Sequence, residues 1–222
     1  MPVTGNNSIQ EISIQVSLGG FSFDQSPWIG SEKLFTTQEF QRRYNSVNIS
    51  LLTPKVALVP EPFFNPDAAR AALEEVVALE PADVVEYIPV PSLASVLVYS
   101  NSIGGSLAKV LSNTVLPVSG EPVKVLPEMY YMLKELESLT EYNKIIASWA
   151  DGWLHLVIAQ GKSLSLANTF QAQDFTTAEY FIFLAMRRLQ LNPEVSTVCF
   201  RTPLTHEAEM SLYRYFKSVS RL

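Results

Sequence analysis

The sequence contains a single cysteine, two histidines and no block of lysine or arginine. One cysteine cannot form an internal disulfide, which fits a reducing compartment. His155 and His206 have no cysteine or further histidine near them in the sequence, so no metal-ligand spacing is visible. A nucleic-acid-binding protein needs a basic face to neutralise phosphates, whereas the formal net charge here is -6. We therefore expect no DNA or RNA partner and no bound metal.

Long apolar runs are also missing. No stretch approaches the roughly 18 to 20 apolar residues that span a bilayer, and the first ten residues are polar, unlike a signal peptide. Apolar residues nevertheless make up 47% of the 222 positions, against 17% charged residues. This composition is typical of a globular protein with room for two lobes that each bury a core. We expect a cytoplasmic protein with no membrane insertion.

Two distant segments share one pattern of apolar and polar residues. EISIQVSLGGFSF, from residue 11, alternates on both sides of Gly19-Gly20. IIASWADGWLHLVI, from residue 145, has the same layout around Asp151-Gly152. Glycine reaches positive φ without steric cost, so Gly19-Gly20 and Asp151-Gly152 both suit tight turns. Each segment is therefore predicted to form a β-hairpin.

A third strand and a helix are predicted to follow each hairpin. Thr36-x-x-Glu39 and Thr176-x-x-Glu179 both match the capping box that opens a helix. The first helix is predicted from about Thr36 to Tyr44. The second is predicted from Thr177 to Leu191, with Phe181 and Leu184 fully buried. These two copies predict related lobes that superpose with Gly20 on Gly152 and Thr36 on Thr176.

The region between the copies predicts further elements. Lys55–Pro60 is an apolar run typical of a central, buried strand. Pro127-Glu128 opens a helix that we interpret as the connector between lobes, with residues 1–138 forming the first lobe and residues 139–222 the second. Near the C-terminus, His206–Val219 is predicted to be a closing helix.

Three antiparallel-linked strands, a helix, and a further strand and helix form the ribonuclease-H-like arrangement. Two such lobes joined by a helix resemble the actin-like ATPase superfamily, which includes actin, heat-shock ATPases, sugar kinases and bacterial pilus-assembly and cell-division proteins. More narrowly, the chain is similar to an uncharacterised bacterial family with that fold and no assigned function. The resemblance implies an α/β fold with mixed sheets and two ribonuclease-H-like lobes in an actin-like ATPase arrangement.

The resemblance also implies a nucleotide site. In that superfamily the first hairpin turn of each lobe holds the phosphates of ATP through backbone amides, and an Asp in each turn manages Mg²⁺. The positions that match are Ser17, Gly19, Gly20, Asp151 and Gly152. They are the cofactor-binding candidates if a nucleotide binds, and hairpin geometry alone also explains them. No catalytic residue is identified.

The match is incomplete in three places. The first turn has no Asp before its glycines, and Trp149 and Trp153 surround the second turn, where the family prefers small residues. Arg201-Thr202-Pro203 stands where a Gly-Gly-Ser/Thr motif should bind adenosine. The chain's only such motif, Gly104-Gly105-Ser106, falls in the first lobe.

Two functional hypotheses remain open. The first is a protein with a degenerate nucleotide site and no cofactor, which acts through contacts with a protein partner. The alternative is an active Mg-ATP-binding actin-like ATPase, in which Asp151 and Asp24 hold the metal. Whether the protein is an enzyme depends on which of the two is correct.

Overall fold

A computed structural model describes residues 11–102 and 105–222, and its core is two five-stranded sheets with the same topology. In the first sheet the order is β3-β2-β1-β4-β8, with β1 (Glu11–Val16), β2 (Gly20–Phe23), β3 (Ile29–Gly30), β4 (Ser46–Leu51) and β8 (Val125–Pro127). In the second it is β11-β10-β9-β12-β13, with β9 (Asn143–Ala150), β10 (Trp153–Gln160), β11 (Ser163–Gln171), β12 (Thr197–Phe200) and β13 (Ser218–Arg221).

Strand directions also match between the sheets. In each, the first three strands are antiparallel neighbours, and the fourth strand runs parallel to the first. The fifth strand runs parallel to the fourth in both. Each sheet is therefore mixed, and the two have the same order and direction throughout.

The register of the first sheet follows from its apolar alternation. Ile12, Ile14 and Val16 of β1 are buried, and they pair with buried apolar residues of β4 at the same spacing. Because side chains alternate across a strand, this register places both apolar rows in one core.

A third, three-stranded sheet is inserted between β4 and the helix that begins at Gly105. It has the antiparallel order β5-β7-β6, with β5 (Val56–Pro60), β6 (Val85–Val90) and β7 (Ser95–Ser100). Helix α1 (Ala69–Glu74) packs on it through Leu73. The prediction of a central strand at Lys55–Pro60 was thus wrong in place, because β5 is an edge strand of the inserted sheet.

The described residues form four further α-helices: α2 (Gly105–Thr114), α3 (Glu128–Glu135), α4 (Phe175–Arg188) and α5 (His206–Leu212). The predicted connector corresponds to α3, which follows β8 directly and buries Met129, Met132 and Leu133 against the second and inserted sheets. Within the described ranges, no helix combines the length and apolar character needed to cross a bilayer.

The capping-box predictions were wrong in both copies. In the first, short 3-10 helices at Ser31–Thr36 and Gln38–Gln41 replace the expected helix from Thr36 to Tyr44. In the second, the N-cap is Asp174, whose Oδ1 accepts a hydrogen bond from the Thr177 amide at 2.7 Å. Asp is a strong N-cap residue, so the carboxylate two positions earlier takes the role assigned to Thr176.

The predicted closing helix was too long. Helix α5 ends at Leu212, and the chain then forms β13, whose Val219 pairs with Val198 of β12. The sequence of β13 does not by itself indicate a strand, because it is short and follows a helix of similar polarity. The parallel strand β12 that stabilises it is distant in sequence.

The buried face of α4 also differs from the prediction. Ala178, Ile182 and Met186 are buried, whereas Phe181 and Leu184 are only half-buried. We expect Ile182→Ala to lower the free energy of unfolding by about 2 to 5 kcal/mol, because it leaves a cavity. Leu184→Ala should cost clearly less, because water already reaches that side chain. Urea denaturation of both variants tests this, and equal losses would contradict it.

Candidate functional site

The two main hairpin turns face each other across a small cleft. Its volume is about 260 Å³, below the roughly 300 to 1,000 Å³ typical of ligand pockets. Ser17, Gly19 and Gly20 from the first turn and Asp151 from the second line this cleft, whereas Gly152 does not. Four of the five candidate residues therefore lie in one place, on two different sheets.

The first turn is centred one residue earlier than predicted. The Ser17 amide donates to the Gly20 carbonyl at 2.9 Å, so Leu18 and Gly19 form the centre and Gly20 belongs to β2. Neither Gly19 nor Gly20 has a positive φ. At Gly20 the reason for glycine is space, since a Cβ would lie 2.1 Å from the Ile29 carbonyl oxygen of β3.

The second turn confirms the Asp-Gly prediction. Ala150 pairs with Trp153, and Asp151 and Gly152 both have left-handed backbones, with φ of 47° and 76°. Two successive positive φ values define the type I′ turn favoured in tight hairpins. Matching the two turn centres places Gly19, and not Gly20, opposite Gly152 in a superposition of the sheets.

A direct hydrogen bond joins the two turns. Asp151 Oδ2 accepts from the backbone amide of Gly19 at 2.8 Å. A Cβ at position 19 would come within 3.1 Å of Asp151 Oδ1, so glycine lets the two turns approach closely. The Asp151 carboxylate thus binds the Gly19 amide, which in the actin-like superfamily would be expected to bind a phosphate oxygen.

Large side chains form the other walls of the cleft. Trp28 and Trp149 line it, whereas Trp153 does not. Trp149 is held by its indole N–H, which donates to the Ala172 carbonyl at 2.9 Å. Its backbone amide donates to the Thr202 hydroxyl, also at 2.9 Å.

Pro203 and Leu204 line the side of the cleft where the adenosine motif was expected. Their place in the fold agrees with the sequence observation that no glycine-rich segment follows β12. The alternative motif, Gly104-Gly105-Ser106, begins outside the described residues, and its described part opens α2.

Asp24 cannot assist Asp151 in holding a metal. It lies beyond the far end of β2, where its Oδ1 accepts from the Ser13 amide at 3.0 Å. Four residues of extended chain separate it from Gly20, a span of about 13 Å. Across residues 11–102 and 105–222, no cluster of three metal-ligating side chains occurs.

A buried carboxylate behind the cleft connects the sheets to the connector helix. Glu128, the first residue of α3, is fully buried. Its Oε1 accepts from Gln15 Nε2 of β1 at 3.0 Å, from Ser148 Oγ of β9 at 2.7 Å and from Arg201 Nε at 2.9 Å. One oxygen atom thus joins the first sheet, the second sheet and the segment after β12.

The charges of Glu128 and Arg201 are mutually dependent. Burial alone would raise the pKa of Glu128, but the Arg201 guanidinium and nearby hydroxyls hold that pKa below its usual value. Burial would likewise lower the pKa of Arg201, and Glu128 keeps it raised. The guanidinium also contacts Glu135 at 3.2 Å and lies 5.6 Å from the ring centroid of Tyr131.

His155 provides another polar contact between elements. It is fully buried on β10, and its Nε2 donates to the Thr53 carbonyl at 2.9 Å. Thr53 lies in the short segment between β4 and β5. Burial lowers the pKa of His155 below its usual value, and the Thr53 carbonyl only partly opposes this. The folded protein therefore holds this histidine neutral.

Sequence reasoning missed the Glu128 cluster. The available signal was Ser148, which follows the apolar residues Ile145, Ile146 and Ala147 in β9, whereas Gln15 lies in the polar row of an alternating strand. No local pattern indicates that these side chains meet, because Gln15 and Glu128 are 113 residues apart.

Comparisons with known proteins identify the family. Residues 28–219 match the model of DUF3822, described as a protein of unknown function, so the chain belongs to that family. No curated protein matches the sequence at a significant level.

Solved structures share the fold. A Bacteroides thetaiotaomicron protein with an actin-like ATPase fold and unknown function is 16% identical, with a TM-score of 0.65 over 100% of this chain and 94% of that one. A chain of the PilM-PilN type IV pilus biogenesis complex is 14% identical, with a TM-score of 0.52 over 96% of this chain and 88% of that one. The predicted fold class is confirmed: mixed sheets in an actin-like ATPase arrangement.

Removing the buried carboxylate should destabilise the fold strongly. We expect Glu128→Ala to lower the free energy of unfolding by about 3 to 5 kcal/mol, because it leaves the buried Arg201 charge without its main partner. Glu135→Ala is the matched control and should cost at most about 1 kcal/mol, since that carboxylate is partly exposed. Urea denaturation of both variants tests this, and similar losses would contradict the assigned role of Glu128.

Acid should destabilise the protein through His155 before the carboxylates titrate. An unfolded histidine binds a proton below about pH 6.5, whereas folded His155 resists protonation, so stability should fall with decreasing pH by up to about 1.4 kcal/mol per unit. His155→Gln, which retains a donor for Thr53, should flatten the slope between pH 7 and about 5. Parallel wild-type and variant slopes in urea denaturation would contradict this.

Proposed function

We propose that this protein is a non-catalytic member of the actin-like fold that acts through contacts with other proteins, and that its nucleotide cleft is degenerate. We further propose that it works in the cytoplasm and that its two sheets descend from a duplicated lobe, with residues 1–138 and 139–222 as the two halves. The matching order and direction of the ten strands support the duplication.

The observation that carries this proposal is the bond between Asp151 and the Gly19 amide. A phosphate needs free amides that point at its oxygens. Here the second turn supplies a negative charge at that amide, which would repel a phosphate oxygen as well as compete with it. A bound nucleotide would have to displace this carboxylate from Gly19.

The remaining parts of an ATP site are also weak. Hydrolysis of this type requires bound phosphates, a carboxylate-held Mg²⁺ and a positioned water. Asp24 is too far from Asp151 to share a metal ion, and Pro203 and Leu204 stand where an adenosine seat is expected. The PilM-PilN structure that shares the fold is a complex between proteins, which supports a protein partner for this chain as well.

The alternative, an active Mg-ATP-binding ATPase, makes the opposite prediction for ligand binding. We expect no increase in the melting temperature with Mg-ATP, no hydrolysis and no nucleotide in the purified protein. A ligand at about 100 times its dissociation constant would add roughly 2.7 kcal/mol to the stability, which a thermal-shift measurement detects readily.

Two variants make this test specific to the cleft. Asp151→Ala removes the carboxylate from the turn, and Asp67→Ala, an exposed carboxylate on the inserted segment, is the matched control. A thermal shift with Mg-ATP that Asp151→Ala abolishes and Asp67→Ala preserves would overturn the proposal, as would ADP or ATP found between the turns.

A further inference from the structure

We propose that β11 is the docking strand for an extended, acidic peptide segment of a protein partner. This inference names the partner chemistry for the protein contacts proposed above and rests on that proposed function. It depends on three features of the second sheet: an edge strand without charge or proline, an adjoining apolar groove, and an arginine on the rim of the groove.

An edge strand without charge or proline is the first feature. β11 is the terminal strand of its sheet and pairs only with β10 among the described strands. Its nine residues, SLSLANTFQ, include no charged residue and no proline. Exposed edge strands are templates for pairing with another chain, and proteins usually protect them with charge, proline or short length.

The other sheet edges carry such protection. β3 and β8 have only two and three residues. β13 carries Arg221, and β6 carries Glu86 and Pro89. β5 is five residues long and ends at Pro60. Among the described edges, a long strand without charge or proline occurs only at β11, where the Thr169 hydroxyl donates to the Pro54 carbonyl at 3.0 Å beside the inserted sheet.

The backbone of β11 offers hydrogen bonds in a regular row. The Ala172 amide donates to Gly152 at 2.7 Å, on the β10 side of the sheet. Because antiparallel residues alternate between the two sides, Gln171, Thr169 and Ala167 direct their amides and carbonyls away from β10. The Asn168 side chain accepts from the Thr169 amide at 2.9 Å, a place that a partner carbonyl could take.

An apolar groove adjoins this edge. It has a volume of about 300 Å³ and lies between β11 and α4. Phe170 and Phe181, which stack at 4.8 Å between ring centroids, line it together with Leu166, Leu184 and Leu189. An extended segment places alternate side chains on one face, so its apolar residues could enter this groove while its backbone pairs with β11.

The charged residue that lines the groove favours an acidic partner segment. Arg188 lines it, no acidic residue does, and Arg188 makes no ion pair within the described residues. A carboxylate on the docked segment can form a charge-assisted hydrogen bond with this guanidinium. The partner chemistry is therefore an extended segment with apolar residues at alternate positions and an Asp or Glu at one end.

Selection from a library of random short peptides on the immobilised full chain tests this inference. We expect the enriched sequences to alternate apolar residues and to carry an acidic residue at one end. One enriched peptide, labelled with fluorescein, is then titrated against the wild type by fluorescence anisotropy. No enrichment, or an enriched peptide that becomes helical on binding by circular dichroism, would overturn the inference.

Four variants locate the bound peptide. Arg188→Glu should weaken binding about tenfold or more, because it replaces a charge-assisted bond with repulsion. Arg187→Glu is the matched control, since Arg187 is in the same helical turn but does not line the groove, and it should change affinity by less than about twofold. Ala167→Pro removes an outward amide and should abolish binding without loss of a bond to β10.

Asn168→Asp tests the edge without a change in the buried core, because the side chain is exposed. Its carboxylate holds the Thr169 amide more strongly and repels an acidic peptide, so binding should weaken. Wild-type affinity in Arg188→Glu and Asn168→Asp would overturn the inference. Mg-ATP binding in the cleft would overturn the proposed function alone, whereas failure of peptide binding in a nucleotide-free protein would overturn this inference alone.

Discussion

One buried carboxylate at the start of the connector helix joins the two five-stranded sheets. Glu128 lies at the first position of α3, where the helix dipole favours a negative charge. Its Oε1 collects hydrogen bonds from Gln15, Ser148 and Arg201, each from a different part of the fold. Burying an ion pair costs much of what the attraction gains. We therefore expect this cluster to contribute more to the relative orientation of the sheets than to net stability.

Two further sets of hydrogen bonds also hold the two five-stranded sheets together. Behind the cleft, the Gln25 side chain donates to the carbonyls of Arg201 and Leu222. At the cleft, Asp151 binds the Gly19 amide. Because the Gln25 and Asp151 hydrogen bonds already join the two sheets, no ligand is required to bring the two turns together. This is the physical difference from a site in which a nucleotide completes the contact between two turns.

The sequence predicted the parts of the fold whose signals are local. The Asp151-Gly152 turn was predicted correctly because a type I′ hairpin requires two positive φ values, which Asp-Gly tolerates. β4 was not predicted although Val47, Ile49 and Leu51 alternate clearly, because the Thr-x-x-Glu pattern predicted a helix just before it. The strand β5 was predicted from its apolar run, but its place at the edge of a separate sheet was not, since such a run has the same appearance in a central or an edge strand.

The candidate site shows the same division. The resemblance assigned Ser17, Gly19, Gly20, Asp151 and Gly152 to one site, and all of these except Gly152 line the cleft. The role of the Asp151 carboxylate could not be predicted, because it depends on a contact across 132 residues of chain. Likewise, a glutamate after a proline at a helix start is normally exposed, so nothing local indicated that Glu128 is buried.

A cleft that takes no nucleotide would also change how the protein is regulated. A ligand shifts a conformational equilibrium only through different affinities for the two states. Without such a ligand, the second sheet presents β11 and its groove in one arrangement, whatever the ATP concentration. Binding of a partner at this edge would then be constitutive, and its extent would follow the concentrations of the two proteins. Control would have to come from the partner segment, for which a change in the charge that faces Arg188 is the most direct means.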